Sequence, residues 1–130
     1  MNRRTKFVEL KELFNTLHGP KGCLWDKSQT HKTLLKYLKE ETQEFVDATR
    51  KGNIHHMKEE LGDILLQVMF HSQIAKKEGN FDVEEVIDGL IKKLRRRHPH
   101  VFAGVKVNSA HEITRNWHRI KRIEKKGSAS

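Results

Sequence analysis

Two apolar helical runs that fold back on one another, each interrupted by a pair of carboxylates, constrain this chain more than any other feature. From Thr33 to Arg50, Leu34, Leu38, Phe45 and Ala48 recur at helical spacing and mark one stripe. Glu41 falls inside that stripe, between the directions of Leu38 and Phe45, and Glu44 lies on its flank beside Tyr37. From Met57 to Ala75, Leu61, Ile64, Leu65, Leu66, Val68, Met69 and Phe70 put apolar groups almost all round a second helix, which predicts burial on most sides. One narrow polar line remains on it: Glu60, Asp63, Gln67 and His71.

Lys51-Gly52-Asn53 separates the runs, and Gly52 suits a left-handed helix cap, so the pair should form an antiparallel hairpin. At ~1.5 Å per residue, Glu41 and Glu44 stand roughly 15 Å before the turn, and Glu60 and Asp63 roughly 13 to 14 Å after it. The two acid pairs are therefore level. Four carboxylates converging in an apolar interface repel one another, and a hard divalent cation with oxygen ligands, Mg²⁺ or Mn²⁺, is the simplest compensation. A solvated acid face, the usual meaning of scattered Glu, does not explain why these acids interrupt apolar surface.

These residues carry a resemblance. Glu40-Glu41-Thr-Gln-Glu44 followed by Glu60-Leu-Gly-Asp63 resembles the EExxE…ExxD signature of the MazG nucleoside triphosphate pyrophosphohydrolases. Gly22-Cys23-Leu24-Trp25-Asp26-Lys27 is similar to the GCPWDK loop of that family, Arg96-Arg97-His98-Pro99-His100-Val101-Phe102 to its RRHPHVF, and Arg115-Asn116-Trp117 to its RNW. Leu24 departs from the usual Pro. The resemblance implies an all-α MazG-like fold and hydrolysis of a (d)NTP between the α and β phosphates, giving monophosphate and pyrophosphate. A house-cleaning role in the nucleotide pool is implied at family level. Under it Glu41, Glu44, Glu60 and Asp63 are the expected metal ligands, and Glu40 could orient water or act as base. It also implies a basic phosphate clamp at the end of the helix after the hairpin. Here Lys93, Arg96 and Arg97 share one helical face, with Leu94 aimed at the core and Arg95 elsewhere. Trp117 is either a further substrate contact or the core anchor of its helix.

Along the rest of the chain, Phe7, Leu10, Leu13, Phe14 and Leu17 predict a helix over 6–17, and the breaker-rich stretch 18–29 a loop. In that loop Trp25 and Asp26 are either structural or substrate-facing. Ser28 or Thr30 can cap the first hairpin helix, and Gly79-Asn80 stops the second. A fourth helix from Val83 to about Arg97 presents Val86, Leu90, Ile91 and Leu94; Pro99 bars its continuation, and 101–107 reads as an irregular link. Ser109-Ala-His-Glu112 reads as a capping box opening a last helix to about Lys126. No strand alternation appears, so the predicted class is all-α, a helical bundle around the central hairpin. A single domain over 1–126 with a frayed tail at 127–130 is expected. The all-round apolar helix points to a second copy covering it, hence a homodimer or higher homo-oligomer.

The formal charge is +9, from 26 Lys and Arg against 17 Asp and Glu, which suits a polyanionic partner such as a nucleotide or nucleic acid. One cysteine, Cys23, excludes an intramolecular disulfide and a thiolate zinc cage. The start Met1-Asn-Arg-Arg lacks a secretory h-region and no apolar run approaches ~18 residues, so a cytoplasmic setting without a membrane partner is expected. Nine histidines invite a di-iron reading, but neither acid pair is a Glu-x-x-His. His55-His56 reads as surface, His98 and His100 as helix-end structure, and His71 as a core or interface histidine. The runs Lys92–Arg97 and Lys121–Lys126 offer a rival reading as a nucleic-acid binder, but no helix-turn-helix or ribonucleoprotein signature supports it and it leaves the inward acids unexplained. Nucleic acid is accordingly not the expected partner.

Overall fold

The structure, a computed structural model, describes residues 5–128; the basic start and the last two residues of the expected tail lie outside them. Among the described residues seven helices follow in order: α1 Lys6–Leu17, α2 Leu24–Ser28, α3 His31–Arg50, α4 Ile54–Lys77, α5 Val83–Arg97, α6 Pro99–Phe102 and α7 Ala110–Ser128. Among the described residues there is no strand, and the fold is all-α as the patterning requires. The chain divides into two compact units, 1–83 and 84–130.

In the first unit, local chemistry sets each boundary. The Thr5 hydroxyl accepts from the Val8 N–H and opens α1. Thr30 and Thr33 form a reciprocal capping box on α3, and the Asn53 side chain accepts from the His56 N–H, which starts α4 three residues earlier than its apolar pattern does. Gly52 takes φ +66° with its N–H on the Thr49 carbonyl, while the Asn53 N–H reaches Ala48. Gly79 at φ +78° and Asn80 on Ala75 repeat this pattern at the end of α4. Both are left-handed caps in which glycine escapes the Cβ penalty.

The core is where α1 crosses the open end of the α3–α4 hairpin. Phe14, Leu34, Met69, Phe70 and Ile74 are buried together, with Phe7, Leu10, Tyr37 and Val83 against them. Phe14 meets Phe70 edge-on at 5.9 Å. The segment expected to be a loop contains α2, whose Trp25 packs edge-on to Tyr37 and Phe70 at 6.0 Å each. Trp25 thus has a structural contact set while remaining half exposed.

Within the single chain two apolar faces are left uncovered. Leu61, Leu65, Leu66 and Val68 are exposed, so α4 is buried only toward its C-terminal half, where α1 reaches it. On α5 the same holds for Val86, Leu90, Ile91 and Leu94, the last expected in the core. A single chain supplies too few elements to cover helices with so much apolar perimeter. Smaller differences are the helical turn α6, which replaces the first residues of the irregular link because Pro99 suits a helix start, and α7 running past Lys126 to Ser128.

Gly22 marks the tightest point of the first unit. A Cβ there would lie 2.0 Å from the Leu17 carbonyl oxygen, and the Cys23 N–H already donates to that oxygen at 2.8 Å. Gly22→Ala should displace the turn and lower stability measurably in urea unfolding, whereas Gly62→Ala, with open space around it and mid-helix, should raise it by up to about 1 kcal/mol. Equal midpoints for the two variants would refute this packing of the 18–23 segment.

Candidate metal centre on the α3–α4 hairpin

The acids stand beyond the core, on the part of the hairpin that α1 does not cover. Glu41 on α3 and Glu60 and Asp63 on α4 are half-buried and each brings a carboxylate oxygen within 4.8 Å of the others, the one such group among the described residues. The Oε2 atoms of Glu41 and Glu60 are buried without a hydrogen-bond partner. Burial pushes the Glu41 carboxyl up to about 8, helped by the hydrogen bond with Glu60 and the charges of Glu44, Asp63 and Glu60. Glu44 is exposed, yet its carboxyl is raised too, first by a hydrogen bond with Glu60 and then by that group's charge. With Glu60 it also lines an open cleft toward the turn, alongside Asp47, Lys51 and His56.

The structure thus brings Glu41, Glu60 and Asp63 together and sets Glu44 at their edge. Glu40 is exposed on the outer side of α3 and outside the group. Orphaned buried oxygens, mutual repulsion and an all-carboxylate donor set fit a hard divalent cation, with Glu41, Glu60 and Asp63, and Glu44 beside them, as the residues that would hold it.

The expected clamp residues lie in the second unit and are already engaged. Arg96 Nη2 donates to Glu124 Oε1 at 2.7 Å, and Arg97 reaches the same carboxylate through Nε and Nη2 at 3.2 to 3.3 Å. The Arg96 and Arg97 hydrogen bonds hold the Glu124 carboxyl down at about 2. Arg97 lies over the Trp117 ring at 5.2 Å, and His98 meets that ring edge-on at 5.1 Å. Trp117 therefore anchors α7 to the end of α5. Lys93 is exposed, with no ion pair or hydrogen bond among the described residues.

Sequence reasoning missed two features. Glu124 is one: its signal is a lone acid on the α7 stripe that otherwise reads Ile113, Trp117 and Ile120. The other is a pairing of His31 with His71, Nδ1 to Nδ1 at 2.8 Å with ring planes within 8°. His31 Nε2 lies 3.8 Å from the Glu78 carboxylate. A His31 Nε2–H aimed at Glu78 leaves His31 Nδ1 to accept from His71 Nδ1–H, an acid–imidazole–imidazole chain. Burial, then the charge of His31, lowers the His71 pKa. Hairpin register signals the pair: His31 and His71 stand roughly 31 Å and 28 Å from the turn at ~1.5 Å per residue.

An all-α fold whose central hairpin brings carboxylates from two helices within reach of one cation is a helical protein equipped to hold a divalent ion. The chain belongs to the MazG family: the model of the MazG nucleotide pyrophosphohydrolase domain matches residues 29–102, which include all four acids and the Arg96–Phe102 motif. It is 48% identical over 119 residues to the nucleoside triphosphate pyrophosphohydrolase/pyrophosphatase MazG of Thermotoga maritima, covering 92% of this chain and 45% of that protein. With the nucleoside triphosphate pyrophosphohydrolase of Escherichia coli K12 identity is 40% over 117 residues, 89% of this chain and 44% of that protein. With the uncharacterized YabN of Bacillus subtilis it is 46% over 125 residues, 96% and 26% of the two lengths. The chain thus spans between a quarter and just under half of these relatives. A crystal structure of a mazG-related protein from Thermotoga maritima superposes with a TM-score of 0.70 at 26% identity, covering 90% of this chain and 97% of that one.

The raised Glu41 carboxyl gives a pH dependence. Between about 4.5 and 8 the folded, metal-free protein holds a proton that the unfolded chain releases, so stability falls as pH rises through that window. Glu41→Gln lacks this titration, and its stability advantage over the parent in chelator should widen from pH 4.5 to pH 8. Parallel pH curves for the two proteins would contradict the geometry of the acid group.

Proposed function

We propose that this chain is a Mg²⁺-dependent nucleoside triphosphate pyrophosphohydrolase, with Mn²⁺ an alternative ion. The observation that carries the reading is the group of Glu41, Glu60 and Asp63, whose oxygens lie within 4.8 Å of one another in a family described by this chemistry. In the reaction water forms one new P–O bond, the bridging oxygen between the α and β phosphorus atoms leaves with one product, and a proton is released. A bound cation supplies charge neutralisation for the phosphoryl oxygens and polarises water. The chain's own part is to hold the acids level, through the hairpin that fixes α3 against α4, so that a cation can take the place of the proton on Glu41. Glu40, facing outward one residue from Glu41, is proposed to orient the water or take its proton.

Lys93, Arg96, Arg97 and Trp117 are proposed to contact the triphosphate, whose charge the carboxylates alone would repel. Since Glu124 engages Arg96 and Arg97, substrate would have to compete for those guanidinium groups, which leaves Lys93 the most available cation. Residues 1–126 are proposed to work as one domain, in the cytoplasm, as a homodimer or higher homo-oligomer. Support for the oligomer comes from the exposed Leu61, Leu65 and Val68 on α4 and Leu90 and Ile91 on α5. Among the described residues no helix is long and apolar enough to cross a membrane.

The test is a panel of canonical and modified (d)NTPs with Mg²⁺ and products resolved. Pyrophosphate and monophosphate are expected, and orthophosphate as sole primary product would sink the α/β assignment. Glu41→Gln and Asp63→Asn should abolish turnover and the rise in melting temperature that millimolar Mg²⁺ gives, while Glu40→Gln should lower kcat and keep that rise. A Glu41→Gln protein that turns over normally would remove the metal assignment.

For the clamp, Lys93→Ala and Arg97→Ala should raise KM at least about tenfold, with Arg95→Ala, Lys125→Ala and Lys126→Ala close to the parent. Glu124→Gln should lower KM by releasing Arg96 and Arg97. Small, equal and salt-dependent effects at all positions would indicate a diffuse basic surface.

A further inference from the structure

The last helix carries more positive charge than its own unit uses. Between Ala110 and Ser128 it has Arg115, Arg119, Lys121, Arg122, Lys125 and Lys126 against two acids, Glu112 and Glu124. Both acids are committed: Glu112 accepts from the Asn108 N–H at 3.0 Å, and Glu124 holds Arg96 and Arg97. Arg115, Arg119 and Arg122 recur at i, i+4 and i+7, which puts them on one face, and Lys126 continues the row. All three arginines are exposed, none has an ion pair or hydrogen bond among the described residues, and with Asn116, His118 and the one acid Glu112, which is held by the Asn108 N–H, they line one open depression. Trp117, Ile120 and Glu124 lie on the opposite side of the helix, half-buried against their own unit. This row is therefore not the face that meets Arg97.

We infer that the Arg115–Arg119–Arg122 face is a second binding site, for the phosphate backbone of a nucleic acid, read without regard to sequence. The row runs about 10.5 Å along the helix at ~1.5 Å per residue, about three phosphates of one strand at ~3.4 Å each. Guanidinium groups suit that partner because each offers two parallel donors to phosphate oxygens. A bilayer surface would need the apolar side of α7 free to enter it, and that side is docked through Trp117. The absence of a base-reading motif does not count against the site, since backbone contacts set affinity and not sequence choice. The inference does not rest on nucleotide hydrolysis.

Fluorescence anisotropy of a labelled oligonucleotide of about 20 residues, single-stranded and duplex, over about 50 to 200 mM salt tests it with the full chain. The parent should bind, and the triple variant R115Q/R119Q/R122Q should weaken duplex binding at least tenfold and flatten the log Kd against log salt slope by about 2.7, roughly 0.9 per lost contact. The triple Arg→Lys variant should keep the slope, and K32Q/K39Q/K58Q, which removes equal charge from the first unit, should leave it unchanged. Turnover of nucleotide by R115Q/R119Q/R122Q should equal the parent's. Should that triple lose helicity by circular dichroism, Arg119→Gln alone decides, with a slope change of about 0.9. No binding by the parent, equal loss in both glutamine triples, loss of turnover with binding, or capture of anionic phospholipid vesicles in place of oligonucleotide would each overturn the inference.

Discussion

Repulsion between carboxylates on facing helices is the interaction around which the first unit is arranged. Glu41, Glu60 and Asp63 are driven together by the register of the hairpin and would part if the helices were free to separate. What prevents this is remote from them: Phe14, Phe70, Leu34 and Ile74 lock α1 across the far end of the same two helices. The hairpin therefore acts as a lever whose packed end sets the spacing at its charged end. Because α1 stops short of the acids, they are only half-buried, wet enough to admit a charged ligand and dry enough that a lone proton is retained on Glu41 at neutral pH.

The hairpin is legible in the sequence because it is a problem of local period and one turn. Leu34, Leu38, Phe45 and Ala48 fix a face, Gly52 fixes the reversal, and arithmetic along the axis makes the acids level. The same arithmetic contains the His31–His71 pair, but two imidazole rings between helices do not announce themselves as converging acids do. What the sequence conceals is the partner of a charge distant in the chain. Nothing local to Arg96 or Arg97 signals that both turn to Glu124, 27 or 28 residues on, so their shared helical face reads as a free clamp. Periodicity also overstates burial: Leu61, Leu65, Leu90 and Leu94 obey the pattern of core residues, yet pattern records what wants cover and not what one chain can provide.

In the second unit one carboxylate organises much of the charge. Glu124 takes up Arg96 and Arg97, which seats Arg97 on Trp117 and turns His98 edge-on to the same ring, its Nδ1–H donating to the Leu94 carbonyl. The choice of which cations are neutralised also decides which are left. α7 spends its inward acid on α5 and keeps its outward arginines unmatched, so one helix presents a docked aromatic side and an open cationic side.

The reversal at Lys51–Gly52–Asn53 has a consequence for how such a chain can change length. One residue added to α3 or α4 between the core and the acids would rotate Glu41 or Asp63 by about 100° and slide it ~1.5 Å, off the shared face and out of step with its partners. The left-handed cap leaves the turn little room to absorb the slip. Insertions and deletions should be silent in the segment between α6 and α7 and ruinous between Leu34 and Glu41 or between Asp63 and Phe70, where the packed end of the hairpin carries its register to the acids.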